Sequence, residues 1–315
     1  AGPGLARPRP AARRAGEAMS EALTRRSSSV PAVVRAARPR QWVKNVLVLA
    51  APVLGGQVGD ADVLISAAVA FVAFCCAASG IYYIDDVRDI EEDRAHPIKR
   101  FRPIPAGEVA TRLAVVTGSG LLLAGLAVSL AANWELFAVI ATYEAVSLFY
   151  CFALKDEPVI DIAIIASGFL LRAVAGGVAA EIELSQWFLL AASFGSLFMA
   201  AGKRYAEVLM AGPGEAATRR SLSRYSESYL RFVWSVSAGI LIMTYGLWAF
   251  EIRAETGTPW AAISMAPFVL AVLRYAVDVD AGRAGEPEEI ALSDRVLQAL
   301  ALIWLILLAV AVYSS

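Results

Sequence analysis

A chain of 315 residues in which 58% are hydrophobic and 18% charged, with a mean hydropathy of +0.59, is too apolar for a soluble globular domain, whose apolar share lies near roughly half. Its formal net charge of −1 decides nothing by its size, because in a membrane protein the position of each charge is what counts. Cys75, Cys76 and Cys151 are odd in number and lie in or beside apolar runs, so no disulfide framework is implied and they are expected to be small packing residues.

Residues 1–34 are rich in Ala, Arg, Pro, Gly and Ser and have neither a signal-peptide core nor helical periodicity. They are expected to form a disordered basic tail that attracts anionic lipid and takes no part in the fold, with the first methionine, Met19, inside it. Residues 35–315 are expected to form a single transmembrane helical domain. Apolar runs of the about 17 to 25 residues needed to cross a bilayer occupy 41–57, 62–84, 112–132, 134–154, 158–180, 186–202, 229–250, 259–277 and 296–313. They predict an all-α, polytopic protein of nine spans, the first interrupted by Pro52, Gly55 and Gly56.

Cations fix the predicted topology. Arg35, Arg38, Arg40 and Lys44 precede the first span; Arg88, Arg94, Lys99, Arg100 and Arg102 follow the second; Lys203, Arg204, Arg219, Arg220 and Arg224 follow the sixth. The opposite connections hold Arg253 as their only cation. The positive-inside rule therefore places the N-terminus and the charged loops in the cytoplasm and the C-terminus outside, in a multi-pass plasma-membrane protein. These basic clusters sit too close to membrane helix ends to suggest nucleic-acid contact.

The second span runs into Tyr82, Asp85, Asp86, Asp89 and Asp93, followed by His96-Pro97-Ile98-Lys99-Arg100-Phe101-Arg102-Pro103. If the helix continues, spacings of three, four and seven stack these carboxylates on one face. Such a face repels itself unless hard divalent cations sit among the oxygens, and Mg2+ commonly bridges protein carboxylates to a phosphate-bearing substrate. A solvated acidic helix end is the alternative. The spans numbered one, four and six bring Lys44, Lys155, Lys203 and Arg204 to the same side, although Lys and Arg at helix ends also snorkel for purely structural reasons. Arg172 differs, because it lies within the apolar run 158–180, where a charge is costly unless it faces a polar cavity or a partner. It is expected to face an anion; Asp161, three turns away, lies too far for direct pairing. Together these residues predict a central, cytoplasm-facing cavity suited to a diphosphate, a good leaving group once its charge is compensated. A lipid is the expected second substrate, since it explains embedding such a site in the membrane.

The stretch D-D-V-R-D-I-E-E-D (85–93) resembles the N-D-x-x-D-x-x-x-D signature of UbiA-type intramembrane prenyltransferases, nine-span helical enzymes that bind a diphosphate through Mg2+. More narrowly, R-P-R-Q-W-V-K-N (38–45), D-V-R-D-I-E-E-D-R-A-H-P-I-K-R-F-R-P-I (86–104), L-R-A-V-A-G-G-V-A (171–179), the stretch 187–207 and G-E-P-E-E-I-A-L-S-D-R-V-L-Q (285–298) resemble the branch of that superfamily that carries phosphoribosyl groups to a polyprenyl phosphate. The resemblance spans about 35–313 and implies phosphoribosyl diphosphate as donor, decaprenyl phosphate as acceptor, Mg2+ as cofactor and a step toward the arabinose donor of cell-wall arabinan. Two departures stand out. Asp85 occupies the position that is normally Asn, and the second aspartate-rich motif is reduced to Lys203-Arg204-Tyr205-Ala206-Glu207. A half-acidic, half-basic site suits a donor with an extra 5-phosphate.

The expected roles follow from that resemblance and from the side-chain chemistry. Asp85, Asp89 and Asp93 hold metal, with Asp86 as a further ligand or support; Lys44, Lys203 and Arg204, with Tyr205 beside them, pair the donor's phosphates; Tyr82 orients the donor; Lys99, Arg100, Lys155 and Arg172 hold the acceptor phosphate. His96 is expected to be a turn residue. The competing readings are prenyl transfer to an aromatic or quinone precursor and, outside enzymes, an ion transporter. A transporter calls for paired discontinuous helices and midplane charges, whereas here the charges gather at helix ends on one side, with Arg172 the main exception. The acidic loop Asp278–Asp294, with Gly282 and Gly285 as hinges, is expected to be either a connector or a lid that closes over the donor. Oligomeric state is left open.

Overall fold

A computed structural model describes residues 30–155, 157–210, 224–285 and 287–313, and all their regular structure is helical. In chain order the elements are α1 (Ala32–Ala36), a 3-10 helix (Pro39–Leu49), α2 (Ala50–Leu54), α3 (Ala61–Arg88), α4 (Ile90–Ala95), a 3-10 turn (Lys99–Phe101), α5 (Thr111–Ser129), α6 (Trp134–Phe149) with a π-helical turn (Tyr150–Leu154), α7 (Ile160–Ala179), α8 (Gln186–Met210), α9 (Glu227–Thr256), α10 (Trp260–Ile263), α11 (Met265–Asp280), α12 (Pro287–Ser293) and α13 (Arg295–Tyr313). The expected tail, residues 1–34, falls mostly outside the described residues; its last part enters α1, whose Ala36 is buried.

Among the described residues seven helical stretches are long and apolar enough to cross a membrane: Ala61–Arg88, Thr111–Ser129, Trp134–Leu154, Ile160–Ala179, Glu227–Thr256, Trp260–Asp280 and Arg295–Tyr313. The other two expected spans come out differently. Residues 41–57 form the 3-10 helix and the five-residue α2, closed by Gly55 and a left-handed Gly56. Residues 186–202 lie in α8, which runs on through Lys203 and Arg204 and falls short of a continuous apolar span.

The chain divides into two compact units. Unit one holds the described residues up to Pro39 and Ala78–Leu122. Its core is Ala36, Tyr83, Ile104, Val109 and Ala114. Gly80 and Gly118 let α3 and α5 approach closely, since a Cβ on Gly80 would lie 2.9 Å from the Gly118 carbonyl oxygen, the small-residue packing that stands in for hydrophobic drive in lipid. The Ser79 hydroxyl donates to the Ala37 carbonyl at 3.0 Å and ties the start of the chain to α3.

Unit two holds Arg40–Ala77 and Leu123–Ser315. Its larger core joins α7, α8, α9 and α11 through Ile162, Phe198, Tyr205, Leu230, Tyr275 and Val279. A second cluster stacks Tyr245 on Phe268 at 3.9 Å, with the Trp304 indole N–H donating to the Tyr245 hydroxyl at 2.7 Å. Asn133 caps α6 by accepting the Leu136 N–H at 2.8 Å, and its amide donates to the Val178 carbonyl of α7 at 2.8 Å. Val159, ahead of α7, is forced to a φ of 70°, costly for a β-branched residue, and its N–H donates to the Tyr225 hydroxyl at 2.7 Å.

Candidate active site

Unit one carries the acidic ladder. The helix ends at Arg88, and Asp89 takes φ −89°, ψ 13° before α4 begins. The turn-to-turn bonding nevertheless persists: the Asp89 N–H donates to the Asp85 carbonyl at 2.9 Å and the Asp93 N–H to the Asp89 carbonyl at 2.8 Å. The expected single acidic face is divided. Asp86 and Asp93, seven residues apart, point inward and are 1% exposed, whereas Asp85 and Asp89 are half-buried.

Basic residues close around the inner pair. Arg102 Nη1 donates to Asp86 Oδ1 at 3.1 Å and to Asp93 Oδ2 at 2.7 Å. Arg38 pairs with Asp86 as well, with its guanidinium 4.5 Å over the Tyr82 ring, and Lys99 Nζ lies 3.5 Å from Asp93. Burial alone would lower the Arg38 pKa, but Asp86, Tyr82, Asp85 and Asp93 raise it, so the guanidinium keeps its charge. One oxygen of this group, Asp86 Oδ2, is buried without a hydrogen-bond partner. His96 is a turn former: its Nδ1 accepts the N–H groups of Ile98 and Lys99, both at 3.2 Å. Arg100 is exposed, with its guanidinium 4.8 Å over Phe101.

Among the described residues no three His, Cys, Asp or Glu side chains group tightly enough to cage a metal. That donor set still fits Mg2+, which is usually bound by one or two carboxylates plus substrate phosphates and kept waters. Asp85 and Asp89, hard oxygen donors one helical turn apart, suit an ion shared with a diphosphate. Asp93, expected as a third ligand, is held by Lys99 and Arg102 instead.

Unit two carries the other expected residues. Arg204 is 1% exposed and bound on all sides. Its Nε donates to Asp161 Oδ2 at 2.6 Å, its Nη2 reaches Asp161 Oδ1 and, at 3.1 Å, the Tyr150 hydroxyl, and its Nη1 pairs with Glu207. Tyr150 in turn donates to Asp161 at 2.6 Å, a contact made from within the π-helical turn, the kind of irregularity frequent at functional sites. Tyr205, fully buried, accepts from Arg231 at 2.6 Å. Lys155 and Lys203 are half-buried.

Arg172, expected to face an anion, is 6% exposed and enclosed by neutral groups. Nε donates to Asn45 Oδ1 at 2.7 Å, Nη1 to the Gly168 carbonyl and Nη2 to the Tyr143 hydroxyl at 3.2 Å. The guanidinium carbon also lies 5.1 Å from the Phe74 ring centre and 5.0 Å from that of Tyr143. Asn45 donates to Cys75 Sγ at 3.2 Å. Lys44, next to it on the 3-10 helix, donates to Gln41 Oε1. The acidic loop has fixed ends: Asp278 pairs with Arg283, and Arg274 Nε donates to Asp294 at 2.7 Å, with α12 between. Glu286 lies outside the described residues.

Sequence reasoning missed Arg38 and Arg102 as partners of Asp86, and Asn45 as partner of Arg172. The seven-residue spacing of Asp86 and Asp93 was a usable signal, since it puts them on one helix face and Asp85 with Asp89 on another. No spacing rule reaches Asn45 from Arg172.

The sequence pattern of the UbiA prenyltransferase family matches residues 46–293. The chain is 54% identical to the decaprenyl-phosphate phosphoribosyltransferase of Mycolicibacterium smegmatis, over 91% of this chain and 94% of that one. It is also 54% identical to the protein of that name in Mycobacterium tuberculosis, over 90% and 95% of the two chains. In fold it is similar to a UbiA homolog from Archaeoglobus fulgidus bound to GPP and Mg2+, with a TM-score of 0.68 at 18% identity, covering 90% of this chain and all of the other.

Proposed function

The chain belongs to the UbiA prenyltransferase family, and on that premise we propose that it transfers a 5-phosphoribosyl group from phosphoribosyl diphosphate to a long polyprenyl phosphate, releasing diphosphate. The observation that carries this reading is the nearly full-length likeness, at 54% identity, to decaprenyl-phosphate phosphoribosyltransferases. The protein is a multi-pass membrane enzyme, as its apolar helices and family require. The proposal extends to orientation, with the N-terminus and the charged loops in the cytoplasm of the plasma membrane, and to a role in making the arabinose donor of cell-wall arabinan.

Asp85 and Asp89 would hold Mg2+, which when bound would withdraw charge from the departing diphosphate. Asp86 and Asp93, already balanced by Arg38, Arg102 and Lys99, keep the ladder from repelling itself and fix the helix end from which Asp85 and Asp89 project. Tyr82, its ring under Arg38, orients the donor. Lys44 and Lys203 supply positive charge for the donor's phosphates, while Arg204 and Tyr205, both buried, hold that helix in place; Lys99, Arg100 and Lys155 supply positive charge for the acceptor phosphate.

The reaction is a single displacement. As the bond from ribose C1 to the diphosphate lengthens, C1 takes on oxocarbenium character, and an acceptor phosphate oxygen attacks the opposite face. That oxygen is ionised at neutral pH, so no general base is needed. This accords with His96 being engaged as a turn former.

The test is a purified protein supplied with labelled phosphoribosyl diphosphate, decaprenyl phosphate and Mg2+. Label is expected in the lipid product, and removal of divalent metal should abolish it. Label entering lipid-soluble product only from a prenyl diphosphate and an aromatic acceptor would overturn the reading.

A further inference from the structure

The 3-10 segment Pro39–Leu49 runs for eleven residues, where runs beyond three or four are uncommon because the hydrogen-bond geometry is poor. Something outside the segment must hold it in that form. Its burial repeats every third residue: Asn45 and Val48 are buried, Arg40, Val43 and Val46 are exposed, and Gln41 and Lys44 lie half-buried between. Three contacts grip the buried rail. Asn45 accepts from Arg172 at 2.7 Å and donates to Cys75 at 3.2 Å. Val48 is pressed so closely on α7 that a Cβ on Gly176 would stand 1.8 Å from its carbonyl oxygen.

We propose that Asn45 and Arg172 are positioning residues, which lock the rotational register of this segment and so aim Lys44 at the phosphorylated donor, without touching the donor themselves. The proposal rests on the reading that Lys44 binds phosphoribosyl diphosphate. Geometry gives the size of the effect. With Val48 held on Gly176, relaxation from three residues per turn to 3.6 would swing Lys44, four residues back, by about 80° and draw it in by about 2 Å. Arginine suits the task because its planar fork reaches three acceptors at once, here Asn45, the Gly168 carbonyl and Tyr143. Those partners are neutral, so the charge of Arg172 serves to bind an amide firmly rather than to satisfy a carboxylate.

Double-mutant cycles on KM for phosphoribosyl diphosphate test this. Asn45→Leu and Gly176→Ala, one removing the acceptor and one pushing the segment off α7, should each raise KM about tenfold, equal to about 1.4 kcal/mol, while kcat and KM for the lipid hold. Asn45→Asp, which still accepts from Arg172, should restore the wild-type value. Lys44→Ala should raise KM alone, and in its background Asn45→Leu and Gly176→Ala should add nothing. Arg172→Leu should add nothing to Asn45→Leu. Melting in detergent accompanies each variant, and Gly176→Ala carries the test if Asn45→Leu does not fold. Additive effects, or an undiminished cost of Arg172→Leu beside Asn45→Leu, would overturn the proposal and leave the reaction standing. A normal KM in Lys44→Ala would overturn both the proposal and the role of Lys44, and wild-type protein that forms no phosphoribosyl lipid would overturn the proposed function itself.

Discussion

Two buried groups of opposite charges, one in each unit, look alike in composition and differ in how far they are closed. In unit two, Asp161 and Arg204 are 0% and 1% exposed, and Arg204 engages both carboxylate oxygens. In unit one, Asp86 and Asp93 are as deeply buried, but the cations that face them, Arg38, Lys99 and Arg102, keep 24%, 33% and 31% of their side chains exposed, and Asp86 Oδ2 has no partner. A sealed pair has spent its charge on itself. An open one, with two further half-buried carboxylates beside it, still presents charge to a ligand. Similar residue types thus serve as a rivet in one place and line the proposed site in the other.

The largest expected effect is on the open side. Asp89→Ala should abolish turnover with little change in melting temperature, because no other side chain is spaced to replace it. Retention of more than about a tenth of the activity, a barrier change under about 1.4 kcal/mol, would remove the metal role.

On the sealed side the effect should be on folding. Arg204→Leu strands Asp161 as an uncompensated buried charge, a loss of about 3 to 5 kcal/mol, read as a large drop in the detergent melting midpoint. A wild-type midpoint would show that the pair is no rivet. Arg102→Ala removes two pairs of the open group, but Arg38 and Lys99 remain, so its melting shift should be clearly smaller than that of Arg204→Leu; an equal or larger shift would erase the distinction.

The smallest effect is a gain. Asp85 puts a third negative charge next to Asp86 and Asp89, at a position where the family signature has a neutral amide. Asp85→Asn should raise turnover by about two- to fivefold, under about 1 kcal/mol, in a protein of unchanged stability, and a fall in turnover would show that the extra carboxylate is needed.

Much of this was legible in the chain. Apolar runs fix α3, α5, α6, α7, α9, α11 and α13 because a helix that crosses lipid must satisfy its own backbone and needs about twenty apolar residues to do so. At 41–57 the apolar run does not form one continuous α-helix: it divides into a 3-10 helix and the short α2, closed by Gly55. The ladder Asp85 to Asp93 was visible as a pattern, and the seven-residue spacing of Asp86 and Asp93 marked an inner pair, but the partners of that pair, Arg38 and Arg102, come from segments with no periodic relation to α3. Asp161 was correctly seen as too far from Arg172; its true partner, Arg204, lies on the next helix, where only the tertiary packing of α7 on α8 could reveal it.

The pairing of Asp161 with Arg204 also bears on how the chain enters the bilayer during synthesis. The residues sit near opposite ends of two consecutive helices joined by the turn at 180–185, so α7 and α8 can leave the translocation machinery as one hairpin with the charges already neutralised. Arg172, within the membrane, emerges when Asn45 has long been made. Each arginine that would be costly alone in lipid therefore has its hydrogen-bonding partner upstream in the chain.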